Sequence, residues 1–168
     1  MKMLSFVIGP HPCVMPVDHV MEILPARDVL PMPAAGGETS ARHGVTMIGI
    51  LDYRGRAVPV MRLQLAASAP DAGSAAEGTG GPASIARRLL VVGRAGDNRA
   101  VAALEVGRVH SVINTDDATI QAPDDIGLHG QSAVSGVCRL NDRLAFVIDG
   151  LSLGATLGGR AAAGASHG

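Results

Sequence analysis

Aromatic residues are nearly missing from this chain of 168: no tryptophan, one tyrosine and two phenylalanines (Tyr53, Phe6, Phe146), 2% of the whole. Single-stranded nucleic acid is held largely by bases stacked on exposed rings, so that class of function lacks its main physical means. A basic stripe is missing too. Fourteen Lys and Arg against 15 Asp and Glu leave a formal net charge of −1, which offers duplex DNA or an anionic membrane no electrostatic footprint. Cys13 and Cys138 lie far apart and outside any Cys-x-x-Cys pair, so they read as reduced thiols of a cytosolic protein rather than a disulfide. The first nine residues hold one lysine and an apolar stretch too short for a secretory core, and no apolar run approaches the ~20 residues of a membrane span. The expectation is a cytoplasmic protein without direct membrane insertion.

Catalytic signatures are equally scarce. Asp125, His129 and Ser132 lie close together, yet no Gly-x-Ser-x-Gly elbow surrounds the serine and nothing marks an oxyanion hole; a polar loop is the plainer reading. His11 and Cys13 have no second pair nearby to complete four metal ligands. The acidic pairs Asp116-Asp117 and Asp124-Asp125 flank turn residues and read as solvated loop acids. Gly93-Arg94-Ala95-Gly96 lacks the lysine and following helix of a phosphate cradle. The sequence therefore implies no catalytic residue, no metal and no cofactor.

What is present is aliphatic. Apolar residues make up 47%, and with so few rings the core must be built from Val, Ile, Leu, Ala and Met, a composition suited to β-structure. A first strand is expected over Met3–Ile8. Val17, Val20, Met21 and Leu24 then follow helical spacing, closed by Pro25, as a helical stripe or a helical turn running into a strand, with Asp18, His19 and Glu22 facing solvent. Residues 31–44 read as loop. The run from Gly49 to Leu63 is the most informative: two apolar segments meet at Arg54-Gly55, a hairpin in which Gly55 is free to take positive φ. Pro59 cannot donate to a ladder, which points to a sheet edge or an outward N–H. Residues 63–67 suggest a helical turn, and the Ala/Gly/Ser/Pro stretch 68–84 a flexible insertion.

Further hairpins are expected at 87–93/99–106 and 134–140/143–148, a strand at 108–113, and a short helix capped by Asp149 that carries Leu151, Leu153 and Leu157; the tail from Gly158 reads as disordered. Short strands joined by turns indicate an all-β barrel architecture. Gly49, Arg56 and Val60 recur as Gly136, Arg143 and Val147 at identical offsets, the trace of a duplicated hairpin and two lobes.

The stretch Gly49-Ile-Leu-Asp-Tyr-Arg54-Gly55-Arg-Ala-Val-Pro59-Val resembles the signature of CheW-like domains, the bacterial chemotaxis coupling fold. Phe6–Gly9 followed by Val14, Pro16, Val20, Glu22 and Ile23 is similar to the family's opening segment, Leu104–Val109 to its middle strands, and Gly136–Asp149 to its closing hairpin. The resemblance implies two intertwined five-stranded SH3-like β-barrel lobes with short connecting helices, forming one domain over 1–157. It also implies a non-catalytic adaptor that couples methyl-accepting chemoreceptor signalling tips to the regulatory domain of a CheA-type histidine kinase, recruited to membrane-associated receptor arrays. By motif, partner binding would fall on Val20, Glu22, Gly49, Arg54, Gly55 and Arg62. Three positions depart from the pattern: Asp52 where Asn is usual, Arg62 where Asp is usual, and Gly107 in the Val-Asp pattern. The change at Arg62 suggests altered partner choice. The alternative is an accessory or decoy module that binds one partner only, in twitching motility or a pathway outside chemotaxis.

Overall fold

The computed structural model describes residues 1–31, 44–65, 87–94, 96–116, 119–127 and 133–154. The insertion 68–84, the tail from 158, Leu157, His129, Ser132 and most of the 31–44 loop lie outside the described residues. In chain order the strands are β1 (Lys2–Ile8), β2 (His11–Pro16), β3 (Val20–Pro25), β4 (Val29–Pro31), β5 (Val45–Tyr53), β6 (Arg56–Leu63), β7 (Arg88–Gly93), β8 (Ala100–Val106), β9 (Val109–Asn114), β10 (Val134–Leu140) and β11 (Arg143–Ile148). They form two sheets, β10-β11-β2-β1-β9 and β3-β7-β8-β6-β5-β4. The chain begins in the first sheet, crosses to the second through a 3-10 turn at Val17–His19, and returns through Gly107-Arg108. This is the two-lobed, intertwined all-β architecture.

The two sheets are built alike. Each has a long hairpin (β5–β6, β10–β11) whose second strand runs parallel to a strand of another hairpin: β6 along β8, and β11 along β2. Each then closes on one antiparallel strand, β3 against β7 and β9 against β1. The three-residue recurrence falls where duplication would place it, because Gly49 stands opposite Val60 and Gly136 opposite Val147, each just past a bulge. Both glycines admit a crossing backbone. A Cβ on Gly49 would stand 2.6 Å from the Leu30 carbonyl oxygen, and one on Gly136 would stand 2.5 Å from that of Gln121. The crossing segment is β4 in one lobe and a single bridge, Gln121 to Val137, in the other. That is why the second sheet counts six strands and the first five.

Three hydrophobic clusters fill the fold. Met3, Val14, Cys138, Ala145 and Val147 form the interior of the first lobe; Leu51, Tyr53, Val58, Val60, Leu89, Val91 and Ala103 form that of the second. The largest cluster lies between the lobes and draws on both sheets, from Phe6, Cys13 and Met15 to Leu90, Val92 and Leu104. Alternate residues of one strand thus enter different cores: Leu89 and Val91 point into the second lobe, Leu90 and Val92 toward the junction. Central strands buried on both faces read as unbroken apolar runs without alternation. Cys13 and Cys138 are buried in different clusters, and burial pushes the Cys13 thiol up to about 12 and the Cys138 thiol above its usual value.

Several local expectations change. The stripe at 17–24 is a single 3-10 turn followed by β3, the second of the two readings, because the bulge between Val20 and Glu22 lets a strand mimic helical spacing. Val17 and Val20 join the interlobe core, whereas Met21 and Leu24 join that of the second lobe. Asp18 is exposed as expected, but His19 and Glu22 are half-buried. β6 is an interior strand, not an edge: Pro59 precedes Val60, the first residue paired with β8, so its missing N–H costs that ladder nothing. Gln64 continues pairing, its N–H donating to the Gly44 carbonyl at 2.7 Å, in place of a helical turn at 63–65. At the far end Asp149 caps the helix over 150–154 as its sequence position implies, accepting from Leu151 N–H at 3.1 Å.

Candidate functional site

The β5–β6 hairpin turns on two residues, both with positive φ: Arg54 at 53° and Gly55 at 78°. Such a turn matches the twist of the flanking strands, and its first position favours Asn, Asp or Gly. Asp52, at the position where the family pattern has Asn, secures the turn by accepting from Gly55 N–H through Oδ1 at 3.0 Å. The duplicated turn carries the conventional pair Asn141-Asp142, with φ of 44° and 66°. Arginine in this conformation costs about 1 kcal/mol, and nothing in turn formation requires it.

The contacts of Arg54 show what that strain accompanies. Its guanidinium carbon lies 5.0 Å from the centre of the Tyr53 ring, and its Nη2 lies 3.6 Å from Glu22 Oε2. The Tyr53 hydroxyl donates to the same carboxylate oxygen at 2.8 Å. β3 and the β5–β6 hairpin, separated in the sheet by β7 and β8, therefore meet at one carboxylate and close the second lobe. Tyr53 is buried at 6% exposure, whereas the Arg54 side chain remains 66% exposed. An ion pair this wet contributes well under about 1 kcal/mol. Its effect is geometric: a guanidinium stacked on a fixed ring and aimed outward loses little further freedom when it meets a partner's carboxylate or carbonyls.

Burial first, then the hydrogen bond and charge of Glu22, raise the Tyr53 phenol above its ordinary value of 10.0, with Arg54 pulling the other way. Tyr53 is the only tyrosine, so absorbance near the phenolate band reads this site alone. Its titration midpoint is expected above 10 and should fall in Glu22→Gln; a midpoint at the model-peptide value would dismiss the contact. Because the folded state holds this proton more tightly, the stability it brings is fully present below pH 10 and is lost as pH rises through the folded midpoint.

The sequence-derived residues separate into groups. Glu22, Arg54 and Gly55 come together at the tip. Val20 begins the same edge strand but packs half-buried against the interlobe core. Gly49 sits mid-hairpin under β4, a backbone crossing rather than a contact surface. Arg62 lies eight residues from Arg54 along β6, roughly 25 Å away at strand rise, and so belongs to the other end of the lobe. There its Nη2 and Nε lie 3.1 and 3.3 Å from Glu105 Oε1, which Arg87 Nη1 also approaches at 3.7 Å. Tyr53, Glu105 and Arg87 were not singled out from sequence; only the rarity of the lone tyrosine beside Arg54 gave a signal.

Among the described residues the site occurs once. Val109 stands opposite Phe6 and Val112 opposite Leu4, as Val20 stands opposite Val92 and Ile23 opposite Leu90, so Ser111 occupies the position of Glu22. Leu140 and Asn141 occupy those of Tyr53 and Arg54. The first lobe thus repeats the framework without the cation, its turn carrying Asn141 and the acid Asp142 instead. Elsewhere, His11 packs edge-on against Phe146 with centroids 5.7 Å apart, and among the described residues no three His, Cys, Asp or Glu gather as a metal site. Among these residues no helix is long and apolar enough to cross a membrane.

Comparison with known proteins agrees with this architecture. A family model described as a CheW-like domain matches residues 2–156. The crystal structure of the scaffolding protein TtCheW from Thermoanaerobacter tengcongensis superposes with a TM-score of 0.61 at 22% identity, covering 88% of this chain and 82% of that one. No curated protein sequence matches significantly.

Proposed function

The chain belongs to the CheW-like domain family, and on that premise we propose that it is a non-catalytic chemotaxis adaptor linking chemoreceptor signalling tips to a CheA-type histidine kinase. The observation that carries this reading is Arg54: exposed, strained in its backbone, and held in place by Tyr53 and Glu22. Strain retained at an exposed, non-catalytic position is a reason to look for recognition. The kinase regulatory domain is the partner assigned to the Glu22–Arg54 end, and the receptor tip is assigned to the groove between the lobes. The protein works in the cytoplasm, gathered at receptor arrays.

Arg62 favours a second reading. Where the family pattern has an acid, this chain has an arginine already engaged by its own Glu105. A kinase that relies on an acid there would be refused, leaving an accessory module with one partner. The purified chain, mixed with a kinase regulatory domain and a receptor signalling fragment from the same cell, separately and together, distinguishes the two. A ternary complex that changes kinase activity is the expected result. Capture of one partner alone would replace the adaptor with the accessory module, and capture of neither would overturn both.

A further inference from the structure

The helix over 150–154 bridges the lobes. A Cβ on Gly150 would stand 3.1 Å from Met15 Sδ of the first sheet and from Val92 Cγ1 of the second, and one on Gly154 would stand 2.8 Å from Val101 Cβ; Leu153 is fully buried in the interlobe core. Asp149 Oδ1, which caps this helix, faces His19 Nδ1 at 3.6 Å. His19 ends the 3-10 turn by which the chain crosses from one lobe to the other. Its Nδ1 is buried, and among the described residues it is the single buried side-chain nitrogen or oxygen without a hydrogen-bond partner. Such an atom calls for an explanation, since a buried polar group left unpaired is costly.

We propose that His19 and Asp149 form a proton-operated clasp between the lobes: a proton at His19 Nδ1 turns the open 3.6 Å approach into a charge-assisted hydrogen bond that pins the capped helix to the crossover turn. The groups around His19 suit this. Asp149 faces it across the gap, and Asp18 is its exposed neighbour on the same turn. β1 also packs against the turn, with Lys2 as its one charged residue at that end, where Met3 stands opposite Pro16. Val92 and Val101, which touch the helix from the second sheet, are apolar. Protonation tightens the clasp and loss of the proton relaxes it. The inference stands apart from the adaptor reading, and either can fail alone.

The test is amide hydrogen exchange of Leu151 to Leu153 in the full chain, taken as protection factors between pH 8 and pH 5.5. Side chains 21% and 39% exposed are partly screened, so protection is expected to rise about threefold on acidification. In His19→Gln the rise should vanish. Asp149→Asn keeps an oxygen to cap the helix while removing the charge, so it should fold and lose the rise as well. Unchanged protection in the parent chain, or the same rise in Asp149→Asn, would overturn the clasp.

Discussion

Arg54→Asn is expected to leave the chain about 1 kcal/mol more stable while weakening its hold on a kinase regulatory domain by about tenfold or more. The two effects have separate causes. Asparagine tolerates the left-handed conformation that the turn imposes at this position, so backbone strain is relieved. The same change removes a guanidinium that Tyr53 and Glu22 hold outward, and interface cations of this kind concentrate binding energy. Arg54→Asp should weaken binding further, because like charge would then meet any acidic partner surface while Glu22 loses its counter-ion. Urea denaturation and titration calorimetry give the two readouts on one sample. Loss of stability together with loss of binding would make Arg54 a structural residue, and retained affinity would remove the tip from the interface. Only gain of one with loss of the other fits recognition.

The largest effect on folding is expected at the duplicated glycines. Gly49→Ala and Gly136→Ala each place a methyl group against a crossing carbonyl, at 2.6 Å from Leu30 O and 2.5 Å from Gln121 O, and backbone cannot swing aside as a side chain can. Each should cost about 3 kcal/mol, a large share of the ~5–15 kcal/mol typical of a domain. Gly55→Ala offers the contrast, since nothing lies within 4 Å of its added Cβ and only positive φ is penalised, at about 1 kcal/mol. Denaturation midpoints should therefore rank Gly55→Ala well above the other two. If Gly49→Ala proved as mild as Gly55→Ala, the β4 crossing would not be as tight as described. Similar losses in the two lobes would support their common construction, because the two glycines stand at equivalent points of equivalent hairpins.

Much of the fold could be read from sequence, and the successes share a cause. The turns at Arg54-Gly55 and Asn141-Asp142, the strand runs on either side, and the Asp149 cap are each specified within a few adjacent residues. The readings left open were also local in origin. Val17, Val20, Met21 and Leu24 keep helical spacing because one bulged strand feeds two cores in succession, a circumstance invisible without the second core. Pro59 left a sheet edge or an outward N–H open, and the choice depends on β8 joining β6 only from Val60 onward, which the sequence does not show.

The candidate site divides along the same line. The family pattern marks Glu22 and Arg54, but not the tyrosine that joins them, and it groups Arg62 with a surface at the far end of the lobe. By itself, the sequence determined the strand composition, the hairpin turns, the repeat and the family, because backbone preference and side-chain alternation act between near neighbours. Only the tertiary structure decided that Glu22 meets Tyr53, 31 positions on, that Arg62 meets Glu105, 43 positions on, and that Arg54 is held where it stands. Those meetings depend on strand order and register, which arise when two sheets, each with its own core, pack across a third that they share, and no short stretch of chain contains that information.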